Sequence, residues 1–235
     1  MTSRSVLVTG GNRGIGLAIA QAFRAQGDNV AITYRSGAAP DGFVAVKADV
    51  TDTAAIEAAF AEAEAINGPI EILVANAGIT RDGLVLRMSD EDFQDVVNTN
   101  LTGVFRCARR ASKSMLKLKR GRIIIIGSVV GLSGSAGQVN YATTKAGLIG
   151  MARSLARELG VRGITTNVIA PGFVNTDMTA VLDEELRKGI LSTIPLNRYA
   201  EAGEVAGVAT FLASEAAAYI TGAVIPVDGG LGMGN

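Results

Sequence analysis

Along this chain short apolar runs alternate with longer stretches in which apolar residues recur every three or four positions. The runs at 5–9, 29–34, 43–47, 71–75, 122–127, 165–170 and 224–227 are rich in aliphatic and β-branched residues and read as strands. Within the fifth, Ile123 to Ile126 is apolar at every position, as in a parallel strand covered on both faces. Helical spacing marks 14–26, 53–67, a long stretch opening at Ser89, 139–159 and 202–212. Strands alternating with helices predict a doubly wound α/β fold of about seven parallel strands with helices on both faces, one domain over residues 1–235. One connection departs from this plan. Only residues 36–42 separate the second and third strands, and a parallel crossover normally needs about a dozen residues, so a single turn or an irregular loop is expected there.

Composition narrows the chemistry. There is no histidine, which removes Ser-His-Asp hydrolysis, histidine general bases and most catalytic metal sites, and Cys107 is the only cysteine. No metal is expected. Catalysis must rest on Tyr, Lys, Ser, carboxylates or a cofactor. Charged residues are 19% of the chain, below the ~25% usual for soluble domains, so a homo-oligomer that covers part of the surface is expected. The N-terminal residues lack the apolar core of a signal peptide and no apolar run approaches membrane-spanning length, so a cytoplasmic location without membrane or nucleic-acid contact is expected. Net charge is zero, yet Arg106, Arg109, Arg110, Lys113, Lys117, Lys119, Arg120 and Arg122 follow one another with no acid between them. Such a run is either a solvated helix face or a docking patch for an acidic partner.

The candidate chemistry lies between Ser128 and Lys145. Ser128 falls at the carboxyl end of the fifth strand, a glycine-rich loop follows, and the helix over 139–159 carries Tyr141 and Lys145 one turn apart on one face. A phenol with a reference pKa near ~10 exchanges protons poorly at neutral pH, whereas a nearby ammonium stabilises its anion. Bringing a phenol close to neutrality takes about 4 kcal/mol of differential interaction. A serine hydroxyl would hold a carbonyl oxygen beside the phenol, giving a proton-transfer site for a carbonyl/alcohol pair. Taken alone, Tyr-x-x-x-Lys also describes an exposed helix with snorkelling side chains.

A second motif lies after the first strand, at Gly10-Gly11-Asn12-Arg13-Gly14-Ile15-Gly16. Its glycines let backbone amides and a helix N-terminus approach a pyrophosphate. The second strand ends in Tyr34-Arg35-Ser36. An acid there would bind the ribose 2′-hydroxyl of NAD, whereas Arg35 with Arg13 suits the 2′-phosphate of NADP. Further on, Asn100 lies inside the apolar stripe of the helix opened by Ser89. A buried amide needs partners, either backbone groups or a catalytic duty.

Ser128, Tyr141 and Lys145 at spacings of thirteen and four, together with Gly10-x-x-x-Gly14-x-Gly16, resemble the short-chain dehydrogenase/reductase family from Arg4 onward. The resemblance implies a Rossmann-like fold and cofactor contacts at Gly10, Asn12, Arg13, Gly14, Ile15, Gly16, Arg35, Asp49, Val50, Asn76, Ala77, Gly78, Tyr141, Lys145, Pro171, Gly172 and Thr176. It implies four catalytic residues: Ser128 positions the oxygen, Tyr141 is the acid, Lys145 lowers the tyrosine pKa and binds ribose hydroxyls, and Asn100 holds a water relay. Ala75 stands where the family has the first Asn of Asn-Asn-Ala-Gly.

Residues 76–82, 121–130 and 137–141 most resemble the 3-oxoacyl-[acyl-carrier-protein] reductases, which implies NADPH, tetramers and an acidic acyl carrier protein. The basic run with Arg162 is then a candidate carrier-docking surface, or else part of a subunit interface. The apolar residues Met178, Val181, Leu182, Leu186, Ile190, Leu191 and Ile194 fit either a packed helix or a lid over an acyl pocket. Reduction of another ketone, such as acetoacetyl-CoA, a polyketide intermediate or a small cyclic ketone, and a non-catalytic NADP-binding sensor remain as alternative readings.

Overall fold

The structure, a computed structural model, describes residues 3–176 and 184–234. Seven strands, β1 (Ser5–Thr9), β2 (Asn29–Tyr34), β3 (Val44–Lys47), β4 (Ile72–Ala75), β5 (Gly121–Ile126), β6 (Ile164–Pro171) and β7 (Val224–Val227), form one parallel sheet in the order β3-β2-β1-β4-β5-β6-β7. Side chains alternate across it. Val6 and Val8 of β1 and Ile124 and Ile126 of β5 face α1 (Gly14–Ala25) and the helix Ala202–Leu212. Leu7, Ile123 and Ile125 face α2 (Thr53–Asn67) and two further helices on the other side. A period of two on a sheet covered on both faces explains the unbroken apolar runs Val6 to Val8 and Ile123 to Ile126 in these strands. The expected α/β architecture is the observed one.

The helices match the sequence reading at 53–67, 139–159 and 202–212 and differ from it in detail elsewhere. The helix opening at Ser89 runs as α3 (Asp90–Val97), a π-helical turn (Asn98–Thr102) and α4 (Gly103–Leu118). Ser89 caps it by accepting from the Asp92 amide at 3.0 Å. After β5 come a four-residue turn, α5 (Val130–Ser133), and the long helix α6 (Val139–Leu159). α7 (Glu184–Thr193) and α8 (Ala202–Leu212) follow β6. Met178, Val181 and Leu182 of the candidate lid, and the side chain of Leu186, lie outside the described residues. The connection over 36–42 has no helix, as expected from its length, and Asn12 Nδ2 pins it by donating to the Ser36 carbonyl at 3.0 Å.

Half of the basic run is matched by acids from distant parts of the chain. Arg110 pairs with Glu57 at 2.8 Å and Glu64 at 2.6 Å, and Lys113 pairs with Glu57 at 2.9 Å. Arg120 meets Glu71 at 2.8 Å, and Arg122 meets Glu215 at 3.3 Å. Arg110 and Lys113 thereby fasten α4 to α2, and Arg120 and Arg122 close the amino edge of the sheet. Lys119 and Arg162 are exposed at that same edge, where Gly163 approaches the Lys119 carbonyl.

The strand order reverses direction between β1 and β4, so their carboxyl ends part and leave a crevice, the usual place for a ligand in this architecture.

Candidate active site

The crevice is built by close backbone approach. The Thr9 hydroxyl accepts from the amides of Asn76 and Ala77 at 3.0 and 3.1 Å, and Asn76 Nδ2 donates to the carbonyls of Thr9 and Gly10 at 3.0 Å each. These bonds hold the end of β4 against the glycine turn. Gly10 and Gly14 have φ of +63° and +53°, in the left-handed region that favours glycine. A Cβ on Gly16 would lie 2.2 Å from the Gly10 carbonyl oxygen and 2.5 Å from Asn76 Nδ2. The turn thus leaves its amides and the N-terminus of α1 uncovered for a pyrophosphate. The Asn76 side chain thus holds the turn in place.

The remaining cofactor candidates ring this crevice. Arg35, with its side chain 57% exposed, lies 3.9 Å from the Asp49 carboxylate, and exposed Arg13 sits on the turn whose Asn12 grips Ser36. Two guanidinium groups at this corner fit a 2′-phosphate. Asp49 is fixed by the amide and hydroxyl of Thr51, both at 2.8 Å, and Val50 is buried against Gly103 at the start of α4. Ile15 lies in the first turn of α1, and Gly78 lies close to Asn100. Across the crevice, Thr176 comes within 3.7 Å of where a Cβ on Gly14 would stand. Pro171 ends β6 and accepts from the Val129 amide at 2.9 Å, while Gly172 is packed on Asp228.

The catalytic candidates converge at the ends of β5 and α6. Lys145 is 5% exposed and its Nζ donates to the Ile126 carbonyl at 2.8 Å. The same ammonium stands over the Tyr141 ring, 5.4 Å from its centroid. Burial pushes the Lys145 pKa down to about 8. Tyr141 is half-buried, and its phenol lies above its ordinary value chiefly because of burial. A hydrogen bond with Ser128 pulls the other way, and the charge of Asp82 adds to the rise.

The ammonium lies beside the ring and donates to a strand carbonyl, and burial is the largest influence on the phenol.

Gly131 makes this proximity possible. A Cβ there would lie 2.7 Å from the Lys145 carbonyl carbon, so only glycine lets the turn carrying Ser128 rest on α6.

Asn100 is fully buried in the π-helical turn. Its Oδ1 accepts from the Ile79 amide at 2.8 Å and its Nδ2 donates to the Ile79 carbonyl at 2.9 Å. Both halves of the amide are occupied, as in the structural alternative. A π-turn is a frequent local device at functional sites.

Sequence reasoning missed Asn140. It is fully buried, its Oδ1 accepts from the Tyr141 amide at 2.7 Å, and its Nδ2 donates to the Arg81 carbonyl at 2.8 Å. An Asn in the first turn of a helix, next to the reacting residue, was the available signal.

Gly16→Val drives a side chain into the Gly10 carbonyl and is expected to weaken NADPH binding by about tenfold or more, read by fluorescence titration. Unchanged affinity would mean that the turn is not the cradle.

Comparison with known proteins covers nearly the whole chain. A family model described as enoyl-(acyl carrier protein) reductase matches residues 10–232. The 3-oxoacyl-[acyl-carrier-protein] reductase MabA of Mycobacterium avium is 58% identical over 233 residues, 99% of this chain and 91% of the relative. MabA of Mycobacterium tuberculosis (strain ATCC 25618 / H37Rv) is also 58% identical, over 99% of this chain and 94% of the relative. The 3-oxoacyl-[acyl-carrier-protein] reductase FabG of Escherichia coli (strain K12) is 49% identical over 97% of this chain and 96% of its own length. A parallel sheet opening beside a glycine turn, a Ser, Tyr and Lys gathered at its edge, and similarity running from end to end agree: the chain belongs to the short-chain dehydrogenase/reductase family.

Proposed function

We propose that this protein reduces 3-oxoacyl-[acyl-carrier-protein] to the 3-hydroxyacyl product with NADPH, in fatty acid biosynthesis. The observation that carries this reading is the half-buried Tyr141 phenol, with the Ser128 hydroxyl at the end of β5 and the buried Lys145 ammonium 5.4 Å from its ring centroid, at the mouth of a dinucleotide crevice. The names of relatives 58% and 49% identical supply the substrate class.

The residues present fit the cofactor. The Gly10 to Gly16 turn would hold the pyrophosphate, Arg13 and Arg35 the 2′-phosphate, Asp49 and Val50 the adenine side, and Thr176 the nicotinamide end. NADPH, when bound, supplies the hydride that goes to the ketone carbon. Ser128 then holds the carbonyl oxygen by its hydroxyl. Tyr141 gives that oxygen its proton as negative charge develops there, and the charge is stabilised by preorganised donors. Lys145 holds ribose hydroxyls and favours the phenolate left behind by its charge. Asn100 anchors Ile79 through its side chain and completes the proton relay.

The whole chain acts as one reductase domain over residues 1–235, assembled as a cytoplasmic homotetramer. The described residues contain no helix long and apolar enough to cross a membrane. Exposed Phe105 and Leu116 on α4 are surface that such an assembly would cover. Ile190, Leu191 and Ile194, in and just after α7, border the acyl pocket on the lid reading. The carrier docks at Lys119 and Arg162, which are exposed at the amino edge of the sheet.

Tyr141→Phe should bind NADPH as the wild type does and lose turnover by a factor of about 10²–10⁴, in keeping with loss of a general acid. Retained reduction would exclude Tyr141. Charge reversal at Lys119 and Arg162 should raise KM for a carrier-bound ketone and spare a small free ketone. Equal effects on both substrates would exclude this docking surface.

A further inference from the structure

Residues 81–83, in the connection from β4 to α3, are fastened to the first turn of α6 by bonds that surround Tyr141. The Gly83 amide donates to the Gly137 carbonyl at 2.8 Å, and Gln138 Nε2 donates to Asp82 Oδ2 at 2.9 Å. Buried Asn140 donates to the Arg81 carbonyl at 2.8 Å and accepts from the Tyr141 amide at 2.7 Å. Its Nδ2 also lies 3.5 Å from the Asp92 carbonyl of α3.

An exposed loop satisfies its polar groups with water at little cost, so this many direct bonds need a reason. Their joint effect is to hold one carboxylate, Asp82, at the amino end of the helix that carries the catalytic phenol. A carboxylate there is placed against the helix dipole's positive end and within range of Tyr141. Among the described residues, the groups around the phenol are the Lys145 ammonium from its own helix, the Ser128 hydroxyl from the turn after β5, and the Asp82 carboxylate, bonded to Gln138 one turn before Tyr141. Asp82 is the one anion among them.

We propose that Asp82, held in place by Gln138, is a positioning residue whose charge keeps the Tyr141–Lys145 pair protonated, so that the phenol remains an acid where reduction runs. This inference deepens the site described above and rests on Tyr141 being the acid. Its sign is fixed by electrostatics. A negative neighbour opposes loss of a proton from either member of the pair, and the pair titrates as a unit. Reduction requires the protonated pair, so kcat/KM falls at alkaline pH as that proton is lost. Removing the carboxylate brings the fall to lower pH.

The test is the pH profile of kcat/KM at saturating NADPH for the wild type, Asp82→Asn, Asp82→Glu and Gln138→Leu. The alkaline fall of Asp82→Asn is expected about half a pH unit lower than that of the wild type. Gln138→Leu, which frees the carboxylate, should shift it the same way by less, and Asp82→Glu should follow the wild type. A merely structural role would instead lower the rate at every pH and leave the fall in place. That result, or a shift to higher pH, overturns the proposal. Tyrosinate absorbance, taken as the difference from Tyr141→Phe, reads the same proton without turnover. A wild type that reduces no ketone would sink the parent reading, and the absorbance shift would still decide the role of Asp82.

Discussion

The Lys145 ammonium, 5% exposed and donating to the Ile126 carbonyl at 2.8 Å, ties the catalytic helix to the end of β5, and the reacting groups take their places from that bond. Ser128 lies two residues beyond Ile126 and Tyr141 one turn before Lys145, so one contact sets the serine hydroxyl and the phenol against each other. Burying a cation costs several kcal/mol when no counter-charge accompanies it, and the lowered Lys145 pKa records part of that cost. A fold optimised for stability alone would have placed an apolar side chain there. The close seat of Gly131 on the Lys145 backbone makes the same arrangement intolerant of any side chain in the turn.

The crevice beside it depends on a second constraint of the same kind. Two strand ends that diverge at the switch point are held near each other by the Thr9 hydroxyl and the Asn76 amide, so the glycine turn stays open without collapsing. The two halves meet through short contacts: Thr176 beside Gly14 and Asn100 beside Gly78. Rigid backbone approach, with glycine where a Cβ would intrude, gives the site its shape. Polar side chains such as Asn76, Asn100 and Asn140 serve mainly to hold that backbone.

Much of this was legible in the chain because it is local. The seven apolar runs, the glycine spacing and the four-residue separation of Tyr141 and Lys145 are each set within a few residues, and each appears in the fold at the expected place within a residue or two. What was illegible depends on distant partners. The basic run read as an open patch because its acids, Glu57, Glu64, Glu71 and Glu215, lie elsewhere in sequence. Asn100 offered two meanings until Ile79 came to occupy both its amide groups. The direction of the Tyr141 shift depends on burial and on Asp82, neither of which spacing reveals. The π-turn within the helix opened by Ser89 also left no mark in its periodicity.

The proposed reaction protonates a ketone oxygen, although the matching family model carries the description of an enoyl reductase. Donors gathered on one oxygen, with a phenol ready to give up its proton, suit a carbonyl that becomes an alcohol. The most direct measurement is the initial rate of NADPH oxidation with a 3-oxoacyl thioester and with the matching 2-enoyl thioester on the same carrier protein. Rapid turnover of the 3-oxoacyl substrate and none of the enoyl is the predicted result, whereas turnover of the enoyl substrate alone would contradict the account.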